Sequence, residues 1–203
     1  WLSTERHNPA LGLTRTQQDH VAALSHQRAA AAAEQGVFEA EIVPVEVPQR
    51  KGDPLRVVAD EGVRPDTTVD TLATLRPAFS KDGDITAGNA SPISDGAAAV
   101  VVTTRSRADA EGWTVLAAIG AAGQVAGPDN SLHSQPSRAI AQALERQRLA
   151  ASDLDLVEIN EAFGAVVAQS QRELGIDESI VNIHGGGIAI GHPIGASGAR
   201  LVV

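Results

Sequence analysis

Two patterns of apolar residues alternate along the chain, and each predicts one kind of element. Residues 17–35 combine apolar positions at helical spacing with an alanine run, and Gly36 follows, which predicts a helix that ends at the glycine. Residues 41–47 (EIVPVEV) alternate between polar and apolar positions, and residues 55–58 are again apolar, so we expect a pair of short strands. Proline cannot donate to a sheet ladder, so Pro44 predicts an edge position for the first strand.

The pattern changes at Ala97, where a run of β-branched residues begins. Residues 97–104 (AAAVVVTT) are typical of a strand that is buried on both faces. Further along, segments of helical and strand character follow one another, which predicts layers of strands and crossover helices in an α/β fold. The predicted helices are 106–111, a segment that begins near Pro136, and 161–174 ending at Gly175, and the predicted apolar strands are 115–119, 154–159 and 180–183.

Residues 185–200, GGGIAIGHPIGASGAR, carry the strongest chemical signal in the chain. The glycines leave main chain open beside one imidazole, His192, which stands immediately before Pro193. Asn160 follows the predicted strand 154–159 and places an amide at the end of a buried segment. An imidazole and an amide that converge can both direct hydrogen bonds at one oxyanion, and a histidine is the side chain best suited to move a proton near neutral pH.

These segments resemble the thiolases, the enzymes that make and break the carbon–carbon bond of 3-ketoacyl-coenzyme A. The sequence Asn160-Glu161-Ala162-Phe163 matches the NEAF signature of that family, and the glycine run matches its GGxIAxGHPxGxSG loop. Residues 75–79, 87–91 and 94–97 resemble the stretch of the family that faces coenzyme A. The three segments occur in the order of the family, and the resemblance extends over the chain from Thr4 onward. It implies a partial, layered α/β/α fold of the thiolase type, with an inserted α+β loop domain.

The resemblance also implies a domain organisation and a missing pair of residues. We expect residues 1–93 to be an N-terminally truncated loop domain that faces coenzyme A. Residues 94–114 are then the last strand and helix of the N-terminal half, and residues 115–203 are a C-terminally truncated C-terminal half. The family uses two catalytic cysteines, whereas this sequence contains no cysteine. We therefore expect a longer parent protein, and we expect the 203 residues alone to have no turnover.

The resemblance assigns a role to each candidate site residue. His192 would take the proton from the nucleophilic thiol and donate a hydrogen bond to the thioester oxygen as an enolate develops, and Asn160 would hold a water that completes this oxyanion hole. Ser91 would hydrogen-bond the pantetheine arm of coenzyme A. The remaining residues that the resemblance places around coenzyme A are Phe79, Ala162 and Phe163 as walls of the pantetheine channel, Leu75 and Ala87 in the stretch that faces coenzyme A, and Arg64 near the adenine.

The reaction implied by the resemblance is an acyl transfer in lipid metabolism, most like that of the cytosolic acetyl-CoA acetyltransferases. Two acetyl-CoA molecules would condense to acetoacetyl-CoA, and coenzyme A would drive the reverse thiolysis. Coenzyme A and acyl-CoA are substrates here, and no prosthetic group or metal is expected.

Several alternatives remain open at this point. The chain could bind acyl-CoA without catalysis, or it could belong to a condensing enzyme of the ketoacyl-synthase type, although that class uses a histidine where this sequence has Asn160. His192 could be a satisfied structural histidine, and Asn160 could cap a helix that begins at Glu161. The spacing HGGG at 184–187 would suit a hydrolase oxyanion loop, but the nucleophile elbow that such an enzyme needs is absent from residues 195–199.

Composition adds limits on partners and location. The net charge of −9 argues against a nucleic-acid partner, and no apolar stretch is long enough to cross a bilayer. The absence of cysteine leaves the redox compartment undetermined. We expect a cytoplasmic protein that binds small acyl-CoA molecules, with a homodimer or homotetramer as the expectation from the family.

Overall fold

Helices pack around one central helix in the computed structural model, which describes residues 2–203; Trp1, the first residue of the predicted loop domain, lies outside the described residues. Short 3₁₀ turns at Ala151–Asp153 and Glu178–Ile180 connect some of the helices. The elements in chain order are α1 (Leu2–Leu11), α2 (Arg15–Glu34), β1 (Val45–Val47), β2 (Leu55–Val57), α3 (Val69–Ala73), α4 (Arg105–Glu111), α5 (Gln135–Gln147), α6 (Gly164–Leu174), α7 (Gly187–Ile190) and α8 (Ser197–Arg200).

The central helix, α2, confirms the predicted helix to within about two residues. It begins where the Thr14 side chain accepts a hydrogen bond from the Gln17 N–H and the Gln17 side chain returns one to the Thr14 backbone. It ends at Gly36, whose φ of +74° is readily adopted only by glycine. Small buried residues on one face, including Ala22 and Ala29, let α3, α6 and α7 pack closely against it.

The core forms two apolar clusters on either side of α6. The first joins α2 and α3 to the segments that precede and follow α6, and the second joins α6 to the loops around Leu13 and Ile85. The first cluster contains Val21, Ala22, Ala23, Leu72, Val157, Ile159, Val167, Val181 and Ile188, and the second contains Leu13, Ile85, Phe163, Ala165 and Val166.

The predicted pair of short strands is confirmed, with shorter bounds. β1 and β2 pair antiparallel, with Val45 opposite Val57 and Val47 opposite Leu55. β1 starts directly after Pro44, which lacks the N–H that a ladder would use at that position. Helices α1 and α3 were not expected from the apolar pattern.

The predicted buried strand at 97–104 is wrong. Val101 is 87% exposed and Val102 is 67% exposed, and no residue within 2–203 pairs with this run in a ladder. A strand that is buried on both faces needs neighbours at its edges and a layer on each face, and the described part of the chain supplies neither. The apolar stretch 115–119 is exposed for the same reason, with Leu116 at 95%.

The predicted strands at 154–159 and 180–183 are reduced to one parallel bridge between Val157 and Val181. The Val157 N–H donates to the Ile180 carbonyl at 2.8 Å, and the Asn182 N–H donates to the Val157 carbonyl at 2.9 Å. Burial alternates as predicted for a strand, since Val157 and Ile159 are buried while Leu156 is 61% exposed. The segment 154–159 thus has the burial pattern of a strand, but its ladder is limited to one bridge and is shorter than predicted.

Candidate active site

His192 lies in the loop between α7 and α8, with its ring held at one nitrogen by Ser197. The Nδ1 atom lies 2.6 Å from the Ser197 Oγ, and the Ser197 hydroxyl donates to the Pro193 carbonyl at 3.1 Å. Because the hydroxyl proton is directed at that carbonyl, the Ser197 oxygen accepts a hydrogen bond from Nδ1–H. The second ring nitrogen, Nε2, therefore carries a lone pair in the neutral imidazole.

Asn160 meets this free nitrogen. Its Nδ2 lies 3.2 Å from the His192 Nε2, so the amide donates and the imidazole accepts. Its Oδ1 is buried and has no hydrogen-bond partner among residues 2–203. Helix α6 begins only at Gly164, after an N-cap at Phe163, so the interpretation of Asn160 as a helix cap is wrong. The two residues of the predicted catalytic pair are thus brought together.

The surroundings of His192 favour its neutral form. Partial burial lowers the pKa of the imidazole, and the nearby positive charge of Arg200 lowers the pKa further. The Arg200 side chain is fixed by a hydrogen bond of 2.7 Å from Nη2 to the Gly191 carbonyl. An imidazole that is neutral at pH 7 and presents an unprotonated Nε2 is in the state that a general base requires.

The glycines of the loop are needed where the chain runs against other parts of the molecule. A side chain at Gly185, whose φ is +82°, would place its Cβ 2.5 Å from the Ser25 carbonyl of α2. A Cβ at Gly186 would lie 2.3 Å from the Glu161 carboxylate carbon. The sequence predicted that these glycines leave the main chain open to a substrate, whereas at these two positions they allow close packing against α2 and Glu161.

Four of the residues expected around coenzyme A lie together next to the start of α6. The Ser91 N–H and its hydroxyl both donate to the Ala162 carbonyl, each at 3.2 Å. Ala90 and Phe163 form an antiparallel bridge. Phe79 and Ala162 are partly buried against the apolar cluster that contains Phe163. The side chains expected to form the walls are thus adjacent, and Ser91 is already engaged with the backbone.

The other three residues of that set are more exposed. Leu75 is 38% exposed and Ala87 is exposed, and the Arg64 side chain is exposed while its backbone N–H donates to the His26 Nδ1 at 3.2 Å. Gly62, just before Arg64, packs so closely on α7 that a Cβ there would lie 2.5 Å from the Ala189 carbonyl.

Sequence reasoning missed Ser197, the partner of His192. Its signal was available, because Ser197 stands five residues after His192 inside the same glycine-rich run. Glu161 was quoted as part of a signature without a role, and Ser25 and Asn182, which bind it, were not singled out. Within residues 2–203 no group of three histidine, aspartate or glutamate side chains is placed to hold a metal ion. No helix there has both the length and the apolarity to span a bilayer.

Comparison with known proteins identifies the family. Residues 2–106 match the model of the thiolase N-terminal domain, and residues 113–203 match that of the thiolase C-terminal domain. This chain belongs to the thiolase family. The membership agrees with the NEAF segment and the glycine loop, and it favours a thiolase over a condensing enzyme of the ketoacyl-synthase type.

Relatives of known name and solved structures agree with the family. The chain is 56% identical to a probable acetyl-CoA acetyltransferase of Mycolicibacterium smegmatis, over 98% of this chain and 52% of that protein. The crystal structure of the Bacillus anthracis acetyl-CoA acetyltransferase superposes with a TM-score of 0.90 at 40% identity, covering 98% of this chain and 50% of that one. Human mitochondrial 3-ketoacyl-CoA thiolase superposes with a TM-score of 0.86 at 36% identity, over 98% of this chain and 50% of that one. The thiolase-like fold is thereby confirmed, and the chain spans about half the length of the relatives it matches.

Proposed function

We propose that the protein to which this chain belongs is an acetyl-CoA C-acetyltransferase. It condenses two acetyl-CoA molecules to acetoacetyl-CoA and runs the reverse thiolysis with coenzyme A. The observation that carries the proposal is the pairing of His192 Nε2 with Asn160 Nδ2 at 3.2 Å, with the other ring nitrogen already bound to Ser197. The names of the relatives, acetyl-CoA acetyltransferase and 3-ketoacyl-CoA thiolase, support the choice of substrate class.

The geometry supports a proton-transfer role for His192. In thiolysis, its Nε2 takes the proton of a cysteine thiol, and the thiolate attacks the ketone carbon of acetoacetyl-CoA. The carbon–carbon bond next to that ketone then breaks, the acetyl group remains on sulfur, and the bond electrons pass to the leaving acetyl-CoA as an enolate. The chain has no cysteine, so this thiol is supplied from outside the 203 residues.

Asn160 and His192 then stabilise the enolate. Once Nε2 carries a proton it becomes a donor, so that it and the Asn160 amide nitrogen 3.2 Å away present two adjacent donors, which one acceptor placed beside both can satisfy. An enolate oxygen at that place accepts a hydrogen bond from the imidazole, and a water held by the amide completes the site. The thiol of the second catalytic cysteine, which the resemblance places outside the 203 residues, protonates the enolate carbon and releases acetyl-CoA. The resulting thiolate deprotonates coenzyme A, whose thiolate takes the acetyl group, and the freed cysteine thiolate recovers its proton from His192.

The remaining expectations complete the proposal. Ser91, Phe79, Ala162, Phe163, Leu75, Ala87 and Arg64 bind the coenzyme A moiety, and neither a metal nor a prosthetic group takes part. The protein is a cytoplasmic homodimer or homotetramer. Sedimentation of the protein that contains this chain measures that assembly state, and a monomer at micromolar concentration would contradict it.

The test is acetoacetyl-CoA thiolysis by the protein that contains this chain. We expect His192→Asn to lower kcat/KM by about 10³-fold, since it removes the base and one donor together. His184→Asn is the matched control, because His184 lies eight residues before His192, on the other side of α7, and is exposed and packs edge-on against Phe38. Equal activity of the two variants would refute the assignment. Binding of coenzyme A without any turnover in the unmodified protein would establish the non-catalytic alternative instead.

A further inference from the structure

We propose that Glu161 is a positioning residue whose buried carboxylate sets the distance between Asn160 and His192. The inference rests on the proposed function, in which these two side chains form one site. It concerns the glutamate of the NEAF segment, which touches neither ring nitrogen of His192 and lies under the loop that carries it.

The carboxylate is enclosed and fully hydrogen-bonded. Glu161 is 2% exposed, and it forms no ion pair with an arginine or lysine within residues 2–203. Its Oε2 accepts a hydrogen bond from the Ser25 hydroxyl at 2.6 Å and another from the Ile188 N–H at 3.0 Å. Its Oε1 accepts from the Asn182 Nδ2 at 2.9 Å. Three donors from three different segments thus converge on one group.

Two of these donors connect the carboxylate to the histidine loop. Ile188 lies in α7, which ends directly before Gly191 and His192. The Ser25 oxygen, besides donating to Glu161, accepts the Gly186 N–H at 3.1 Å and the Ala189 N–H at 3.2 Å. The first turn of α7 is therefore held on Glu161 and Ser25 through three backbone N–H groups.

The third donor connects the carboxylate to the asparagine. The Asn182 Oδ1 accepts the Ile159 N–H at 2.7 Å, and its Nδ2 donates to the Ile159 carbonyl at 2.9 Å. Asn182 adopts a φ of +48°, a conformation that asparagine tolerates better than most residues. Both chain neighbours of Asn160 therefore bind Asn182: Ile159 through its backbone, and Glu161 through its carboxylate.

The network offers no acceptor for the N–H₂ group that an amide at position 161 would carry. The Asn182 amide cannot turn over, because both of its ends are paired with Ile159. The Ile188 N–H is a fixed backbone donor. A glutamine would therefore direct its own N–H₂ group at another donor and leave one buried group unpaired. We expect Glu161→Gln to release α7, and with it His192, although the side chain keeps its shape.

The experiment is a ¹⁵N NMR titration of the His192 ring in the protein that contains this chain, compared between the wild type, Glu161→Gln and Glu158→Gln. Glu158 is the matched control because it lies three residues away, faces solvent, and loses the same negative charge. Loss of a negative charge alone lowers the pKa of a histidine, whereas release of the ring into water raises the pKa toward its ordinary value.

We expect the His192 pKa to rise toward its ordinary value in Glu161→Gln and to stay constant or fall in Glu158→Gln. We also expect the Nε2 resonance to move, because the hydrogen bond from Asn160 is weakened. The proposal would be overturned if Glu161→Gln showed the same Nε2 chemical shift as the wild type, or a His192 pKa that is unchanged or lower.

Ser25→Ala provides an independent variant if Glu161→Gln does not fold. It removes one hydroxyl of the network, keeps the carboxylate, and leaves the Gly186 N–H without its acceptor, while the Ala189 N–H keeps only its hydrogen bond of 3.0 Å to the Gly186 carbonyl. We expect the same upward change of the His192 pKa, and a wild-type titration in this variant would overturn the proposal. The readout involves no turnover, so a failed activity test of the proposed function leaves this result interpretable.

Discussion

Because His133 is buried, we expect the folded chain to lose stability in weak acid. Its side chain is fully buried, its Nε2 lies 2.8 Å from the Asn8 Oδ1, and its Nδ1 has no partner among residues 2–203. In the neutral form, Nε2–H donates to the asparagine oxygen and Nδ1 carries a lone pair. Protonation would add an N–H at Nδ1 that no acceptor meets. Burial, and after it the neighbouring His7, lowers the pKa of His133 from 6.5 to about 4.

The sign and size of the effect follow from proton linkage. Between pH 6.5 and about pH 4 the unfolded chain binds a proton at His133 and the folded chain does not. The stability that neutral His133 contributes is therefore fully present above pH 6.5, and it is lost as the pH falls toward the pKa of His133 in the folded state. These two pKa values give a loss of about 2 kcal/mol at about pH 5 and a limit of about 3 kcal/mol in stronger acid.

The assay is urea unfolding of the wild-type chain and of His133→Gln at about pH 7 and about pH 5. Glutamine keeps a donor for the Asn8 oxygen and has no titration of its own. We expect the free energy of unfolding of the wild type to fall by about 2 kcal/mol more than that of the variant over this range. His20→Gln, at an exposed position in α2 where the ring contacts Glu178, is the control for removal of a surface histidine. Parallel pH dependences of wild type and His133→Gln would refute the reasoning.

Three further variants test the site. Gly186→Ala places a Cβ against the Glu161 carboxylate, so we expect a loss of about 2 kcal/mol in urea unfolding, and wild-type stability would contradict the packing described above. Ser197→Ala removes the partner of the His192 Nδ1, and we expect ¹⁵N NMR to show an increased share of the Nε2–H tautomer; an unchanged spectrum would contradict the assigned hydrogen bond. Ser91→Ala keeps its backbone hydrogen bond, so stability should change by less than about 1 kcal/mol while calorimetry shows weaker coenzyme A binding; equal affinity would remove Ser91 from the binding site.

The sequence predicted best those helices whose ends are set by residues close by in the chain. Thr14 and Gln17 start α2 within one turn, and Gly175, with a φ of +63°, ends α6 where the pattern placed its end. The run at 97–104 shows the opposite case. Its composition is that of a buried strand, yet burial depends on neighbours that a local pattern does not contain, and Val101 is 87% exposed.

The site shows the same division between local and distant information. His192 and Asn160 were singled out because glycines, a proline and a strand end surround them in the sequence, and the structure brings them together. The support of the site was out of reach, since Ser25 lies 136 residues before the carboxylate it binds. A serine in the middle of a helix gives no local sign that its hydroxyl will cap the turn of another helix.

The most direct test of the central claim is a double-mutant cycle on acetoacetyl-CoA thiolysis, in the protein that contains this chain, with His192→Asn, Asn160→Ala and the double variant. If the two side chains act on one developing enolate, each single variant lowers kcat/KM by about 10²-fold or more, and the double variant loses much less than the product of the two. Losses that multiply, or a single variant with wild-type kcat/KM, would contradict the claim that His192 and Asn160 form one catalytic site.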